Sequence, residues 1–430
     1  MNLTRNLQVV LLGVTMSMAC AASETDDPVT KIASATPHWE LVLRHYQELG
    51  EHRSGTESDH ATAQWLLSEL ENRGVNGKLQ AWPLRVFHLR KSELKTQSDS
   101  FDNFPFWYPQ ATGPHGIQAP LTLLGSGGED AMDGTIALIR VPPSQYEFHF
   151  NVAPELQRAA DQGARGAVVI LNHPMKAVSA QNTNRQWNQQ ELPLPALIAS
   201  EADAEALLTA ASNRTEITLV INGQSRLGEA MNILGKVERK SDRWLVISTP
   251  VSGWFEVTNE RGPGIALWLQ LAEWLVDSKL ETNVLFAALS GHELSGMGMQ
   301  ALIDSGELPE PDSVGLWLHL GSGIAVETPL LSAASSTIAL EELVQQTLTA
   351  HTAMIYWPED KMPKGSEQYL AAQLGYPVVG LFGADPAIHT RLDQSPRINE
   401  REYNSIFKAL QTLIKRRLSS TNHPHQKTAQ

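Results

Sequence analysis

The sequence predicts an α/β protein: an open, mostly parallel (mixed) sheet flanked by helices, with a smaller α/β module inserted into it. Three observations lead there. Apolar strand-length runs alternate with helical periodicity twice along the chain, once on a small scale near residues 118–225 and once on a larger scale after residue 226. The 430 residues are 42% hydrophobic and 19% charged, enough apolar material for a large buried core. The single cysteine, Cys20, rules out any intramolecular disulfide and any multi-thiolate zinc centre, so packing carries the fold and a metal would need His and carboxylate ligands.

Taken in order, residues 1–21 read as a secretory signal, with Arg5 ahead of an apolar run from Leu7 to Met18 and small residues around Cys20. Ordinary cleavage at Ala19-x-Ala21 and lipidation of Cys20 both remain open, so the protein is expected to be exported: periplasmic, secreted or lipid-anchored at the envelope. Residues 22–36 form a polar linker. Helical spacing from His38 to Arg73 gives two helices around the turn His52-Arg53-Ser54-Gly55-Thr56. Within 118–225, strands are expected at Thr135–Val141, Ala167–Leu171 and Leu194–Ile198, with helices at Ala153–Gln162 and through Leu208. The larger alternation runs through strands Trp244–Thr249, Val284–Leu289, Val314–Leu320 and Val378–Phe382. Its helices are Gly264–Val276, Gly296–Ser305, Glu341–Thr349, Glu367–Leu374 and Glu400–Arg417. The main domain is thus 37–117 plus 226–418, the inserted domain 118–225, and 419–430 a loose tail.

In such a sheet, sites lie beyond the carboxyl ends of the strands. There the sequence places Thr249-Pro250-Val251-Ser252-Gly253-Trp254 with Glu260-Arg261-Gly262-Pro263-Gly264, then Ser290-Gly291-His292-Glu293, then His319-Leu320-Gly321-Ser322, then His389-Thr390-Arg391-Leu392-Asp393. Three His and two Glu converging on one edge supply the ligands of a hydrolytic metal site. The net charge of −14 gives no overall attraction to nucleic acid or anionic lipid, so membrane contact is expected only through an anchor at Cys20.

These residues resemble the co-catalytic zinc aminopeptidases and carboxypeptidases of metallopeptidase family 28 with an inserted protease-associated domain. Gly134 to Asn172 is similar to the protease-associated signature. Met231-Asn232-Ile233-Leu234-Gly235, Gly264 to Leu275, Ser290 to Met299 and Ile388-His389-Thr390-x-x-Asp393 are similar to successive landmarks of the catalytic sheet. The resemblance implies a zinc-exopeptidase-like fold and a peptide or other small amide-type substrate.

The metal pattern departs from the family. Pro250 and Ser252 stand where the first His and its Asp partner are expected, His292 where the general base is expected, and His319 where a strand-end Asp is expected; Glu260, Glu293 and His389 keep ligand chemistry. The expectation is therefore a reduced, single-metal hydrolase: Glu260, Glu293 and His389 on one zinc, His292 as base and His319 as auxiliary. Two alternatives stay open. One is a binding protein that has lost its metals. The other is a metal-free hydrolase with Ser252 as nucleophile and His292, His319 or His389 as base. Asp393 is expected either to orient His389 or to cap a turn, Trp254 and Phe255 either to line a pocket or to fill space, and Arg261 either to bind a carboxylate of the substrate or to pair with a nearby acid.

Overall fold

The computed structural model describes residues 36–125, 132–141, 152–183, 190–327, 330–348, 353–357 and 366–420. The export signal, Cys20, most of the linker and residues 421–430 lie outside the described residues.

Two amphipathic helices, α1 (His38–Glu48) and α2 (Glu57–Asn72), open the chain; Thr56 caps α2 by accepting from Asp59 N. A 20-residue strand β1 (Asn76–Lys95) follows, then β2 (Ser100–Phe101), β3 (Asn103–Pro105) and β4 (Ile117–Leu123). The inserted segment continues with β5 (Ile136–Arg140), α3 (Ala153–Asp161), β6 (Gly166–Ile170), β7 (Ala196–Ala199) and α4 (Ala204–Ser212), close to expectation. A 22-residue strand, β8 (Glu216–Val237), then returns the chain to the main sheet. Beyond it lie β9 (Trp244–Pro250), α5 (Thr258–Asp277), β10 (Asn283–Leu289), α6 (Met297–Asp304), β11 (Val314–Leu320), β12 (Leu330–Ser335), α7 (Ile338–Leu348), β13 (Ala353–Trp357), α8 (Glu367–Gln373), β14 (Val378–Gly383) and α9 (Glu400–Ser420).

The strands form a continuous mixed sheet in the order β13-β12-β14-β11-β9-β10-β8-β4-β5-β6-β7-β3, with β1 antiparallel along β8. Strands β10, β9, β11 and β14 are mutually parallel. Their carboxyl ends, at Leu289, Pro250, Leu320 and Gly383, therefore point the same way, which sets the edge where the site is built. β1 and β8 escape the sequence reading because Lys, Gln, Pro, Arg and Gly interrupt their alternation. They stand half exposed and owe their length to pairing with each other from Asn76↔Lys236 to Lys95↔Thr218, with one register shift between Leu89 and Lys91.

Helix α5 is the centre of the main core. Trp268, Leu269, Leu271, Ala272 and Leu275 are buried against α1, α9 and the parallel strands, and Trp268 Nε1 donates to Ile247 O at 3.1 Å. The helix starts at Thr258, six residues earlier than the expected Gly264. Pro263 lies inside the helix, beyond the first turn, and leaves one gap in its hydrogen-bond ladder; the amides of the first turn have no intrahelical partner. Those amides are served from outside: Asp393 accepts from Asn259 N and Glu260 N, each at 2.9 Å. Helix α9 reaches Ser420, slightly beyond the expected Arg417.

Candidate functional site

The early start of α5 puts Glu260 and Arg261 in its first turn, both 1% exposed, below the ends of β9 and β10. Arg261 decides the chemistry of the site. One guanidinium nitrogen, NH2, lies 2.9 Å from Glu260 Oε1 and 2.8 Å from Glu293 Oε1, and Nε donates to Ser252 O at 2.7 Å. Burial pushes the Glu260 carboxyl up, but the neighbouring guanidinium, then His389, outweigh it and hold it at about 2. Burial disfavours the Arg261 charge in turn, yet the two carboxylates raise its affinity for the proton above the ordinary value. The result is a buried Glu, Arg, Glu triad with its charges fixed.

The other expected residues are brought to this point and are tied to it. His389 Nε2 is 3.5 Å from Glu260 Oε1, and its backbone N–H donates to Glu260 Oε2 at 3.3 Å. Ser252 is fully buried; its hydroxyl donates to Glu293 Oε2 at 2.6 Å and accepts from Gly291 N at 2.8 Å and His292 N at 3.3 Å. Among the described residues no imidazole bonds to that hydroxyl, so the nucleophile arrangement, which needs a base on Oγ, is not what these contacts form.

His292 is the one expected catalytic residue whose side chain keeps substantial exposure, at 26%. Its Nδ1 lies 2.9 Å and 3.0 Å from the carboxylate oxygens of Glu367, a residue 1% exposed at the start of α8. Nε2 has no partner among the described residues. Burial lowers the His292 imidazole, but Glu367 more than compensates, so it stands above its ordinary value. Conversely, burial raises the Glu367 carboxyl and His292 brings it down to about 2. His319 lies behind this pair, with Nε2 3.9 Å from Glu367 Oε2 and Nδ1 2.9 Å from Ser248 Oγ. Trp317 Nε1 donates to that same Ser248 oxygen at 2.7 Å. Burial brings His319 down to about 4, against the pull of Glu367.

Zinc, which the fold implies, does not fit this donor set as it stands. Between Glu260 and Glu293 lies a guanidinium that stays charged. Among the described residues, no group of three or more His, Cys, Asp or Glu side chains is arranged to hold a metal ion. The single-metal arrangement of Glu260, Glu293 and His389 thus meets Arg261 in its middle, and His292, expected to serve a metal-bound water, is paired with Glu367 instead.

Glu367 was missed because nothing around it in sequence carries a motif; its role depends on the return of α8 beneath β14. Also unforeseen is the segment 180–183, which is tied to the loops of the site. Ala180 N donates to His389 O at 2.8 Å, Thr183 N to Glu293 O at 2.9 Å, Ser295 Oγ to Thr183 O at 2.6 Å and Trp254 Nε1 to Asn182 Oδ1 at 2.7 Å. The loops it holds are strained: Val257, Ser295 and His389 sit at φ of 42°, 58° and 59°, the left-handed region that non-glycine residues avoid. Asp393 caps α5 and does not orient His389. Trp254 and Phe255 are fully buried and pack on Phe104 and, for Trp254, Trp107, so they fill space. His52 is structural, stacked 3.7 Å from Tyr46 and bonded to Thr62 Oγ1 and Tyr46 O; burial brings it down to about 3.

No protein-family model matches the sequence, and no curated protein matches it. Solved structures do match in fold. A zinc aminopeptidase from Bacillus subtilis superposes with a TM-score of 0.72 at 15% identity, over 88% of this chain and 94% of that one. A peptidase M28 precursor from Shewanella amazonensis gives 0.71 at 16%, over 92% and 96%. An aminopeptidase from an Aneurinibacillus strain gives 0.66 at 15%, over 88% and 93%. The chain therefore has the mixed α/β fold of the zinc aminopeptidases, with a large central sheet flanked by helices.

Proposed function

We propose that this is an exported, metal-independent binding protein built on the aminopeptidase fold, taking a peptide-type ligand at the carboxyl edge of the sheet. The observation that carries the reading is Arg261: its guanidinium pairs with both Glu260 and Glu293, so a cation already stands between the two carboxylates that would attract a metal and offsets half of their charge. Hydrolysis without a metal also needs a nucleophile, and the hydroxyl of Ser252 gives its proton to Glu293 rather than to an imidazole base. The strained loops and the strap from the insert, which this reading takes as a protease-associated-like domain, support a cleft retained for use, since such strain survives where surrounding contacts over-determine it. The half-buried His292 presents Nε2 to the ligand. The aminopeptidase names of the solved neighbours support a peptide-type ligand, and the signal-like start supports export, with Cys20 as the point of any lipid anchor.

The test pairs two assays on chelator-treated full chain. Isothermal titration with short peptides and aminoacyl amides should give saturable binding that His292→Ala weakens by about tenfold or more, as expected when a buried polar contact to the ligand is lost. Hydrolysis of aminoacyl nitroanilides should stay at background with or without added zinc. Zinc-dependent hydrolysis abolished by Glu293→Gln would overturn the reading in favour of a single-metal hydrolase; hydrolysis without metal that Ser252→Ala abolishes would favour the serine mechanism.

A further inference from the structure

We infer that Arg261 is an internal cation standing in for a metal ion, and that this one side chain is what keeps Glu260, Glu293 and His389 from forming a divalent-cation site. The inference rests on the metal-independent reading above and extends it by naming the residue that enforces it. Its basis is geometric. One guanidinium nitrogen bridges the two carboxylates at 2.9 and 2.8 Å, and His389 Nε2 approaches the same Glu260 oxygen at 3.5 Å. All four side chains are nearly fully buried. Glu260 and Glu293 thus share a single positive centre and His389 stands beside Glu260, the three coming from α5, the turn after β10 and the loop after β14. His389 Nδ1 is buried without a partner among the described residues, so no hydrogen bond there fixes its ring against rotation.

Two carboxylates and one imidazole are the donors of an open three-ligand zinc site, and oxygen and nitrogen ligands suit zinc among common divalent ions. A guanidinium among them excludes a dication by repulsion and by volume, and unlike a lysine it does not release its proton to make way. Its removal leaves two buried carboxylates without a counter-charge, a state relieved by protonation or by a cation.

The experiment compares three full-length proteins, each stripped with chelator and titrated with Zn²⁺ by calorimetry: the native chain, Arg261→Asn, and Arg261→Asn combined with Glu293→Gln. Circular dichroism checks the fold. The native protein should take up no zinc. Arg261→Asn should bind one equivalent, and loss of Glu293 should weaken that binding by about tenfold or more. If Arg261→Asn is unfolded in buffer, refolding with and without Zn²⁺ reads the same property, because an ion that binds only the folded state raises its population; rescue by zinc supports the inference. A folded Arg261→Asn that takes up no zinc, or an unfolded one that zinc does not rescue, overturns it while leaving the binding-protein reading intact. A native protein that binds one zinc through Glu293 overturns both.

Discussion

Replacing Glu367 with Gln removes the acidic partner of His292 while keeping its shape. In the native protein the Glu367 carboxyl is held at about 2 against an ordinary 4.5. That difference corresponds to on the order of 3 kcal/mol of stability. Because this folded-state value is depressed, the contribution is complete above about 4.5 and is lost as pH falls toward about 2. The His292 value is raised above 6.5, so its share is complete below 6.5 and is lost as pH rises through the raised value. The pair therefore stabilises most between about pH 4.5 and 6.5. Glu367→Gln should cost roughly 2–4 kcal/mol at pH 5.5 in urea denaturation, the lower end allowing for an amide that still bonds His292. The cost should shrink toward pH 8.5, as the imidazole loses its charge. The His292 imidazole, followed by NMR, should titrate lower in the variant, because Glu367 is what raises it. A cost below about 1 kcal/mol, equal at both pH values, with the His292 titration unmoved, would refute the ion pair.

Three other outcomes follow from the same geometry. Arg261→Met should destabilise the protein by about 3–5 kcal/mol at pH 7, because two buried carboxylates lose their counter-charge, and by less at pH 4, where Glu260 can protonate; equal destabilisation at both values in chemical denaturation would contradict this. Gly298→Ala would place a Cβ 1.9 Å from Ser290 O and 2.6 Å from Asn232 Oδ1, the groups that hold the turn before His292, and thermal unfolding should show a loss on the order of 3 kcal/mol. Asn182→Leu leaves the buried Trp254 indole N–H without its acceptor at a cost of about 1–3 kcal/mol. Amide exchange at Ala180 and Thr183 should then quicken, and unchanged exchange there would mean the strap does not depend on that bond.

The parallel core was legible in the sequence because β9, β10, β11 and β14 are continuous apolar runs, as strands buried on both faces must be. Their ends carry Glu260, Glu293, His292, His319 and His389, and Arg261 pairs with two acids, Glu260 and Glu293. Other features were not readable. The long β1 and β8 ribbon depends on pairing between segments separated by more than a hundred residues, with mixed polarity on both strands. Glu367 has no local motif, and the strap from residues 179–183 acts through backbone groups, which any sequence carries. Spacing alone could place Glu260, Glu293 and His389 on one edge; it could not tell that the neighbour of Glu260 turns inward between them, because that follows from α5 starting at Thr258.

The most direct test of the central claim is a crystal of the protein grown with excess zinc and measured at the zinc absorption edge. The account predicts no anomalous peak between Glu260 and Glu293, with the Arg261 guanidinium bonded to both. A peak there, ligated by Glu260, Glu293 and His389 with Arg261 displaced, would contradict it.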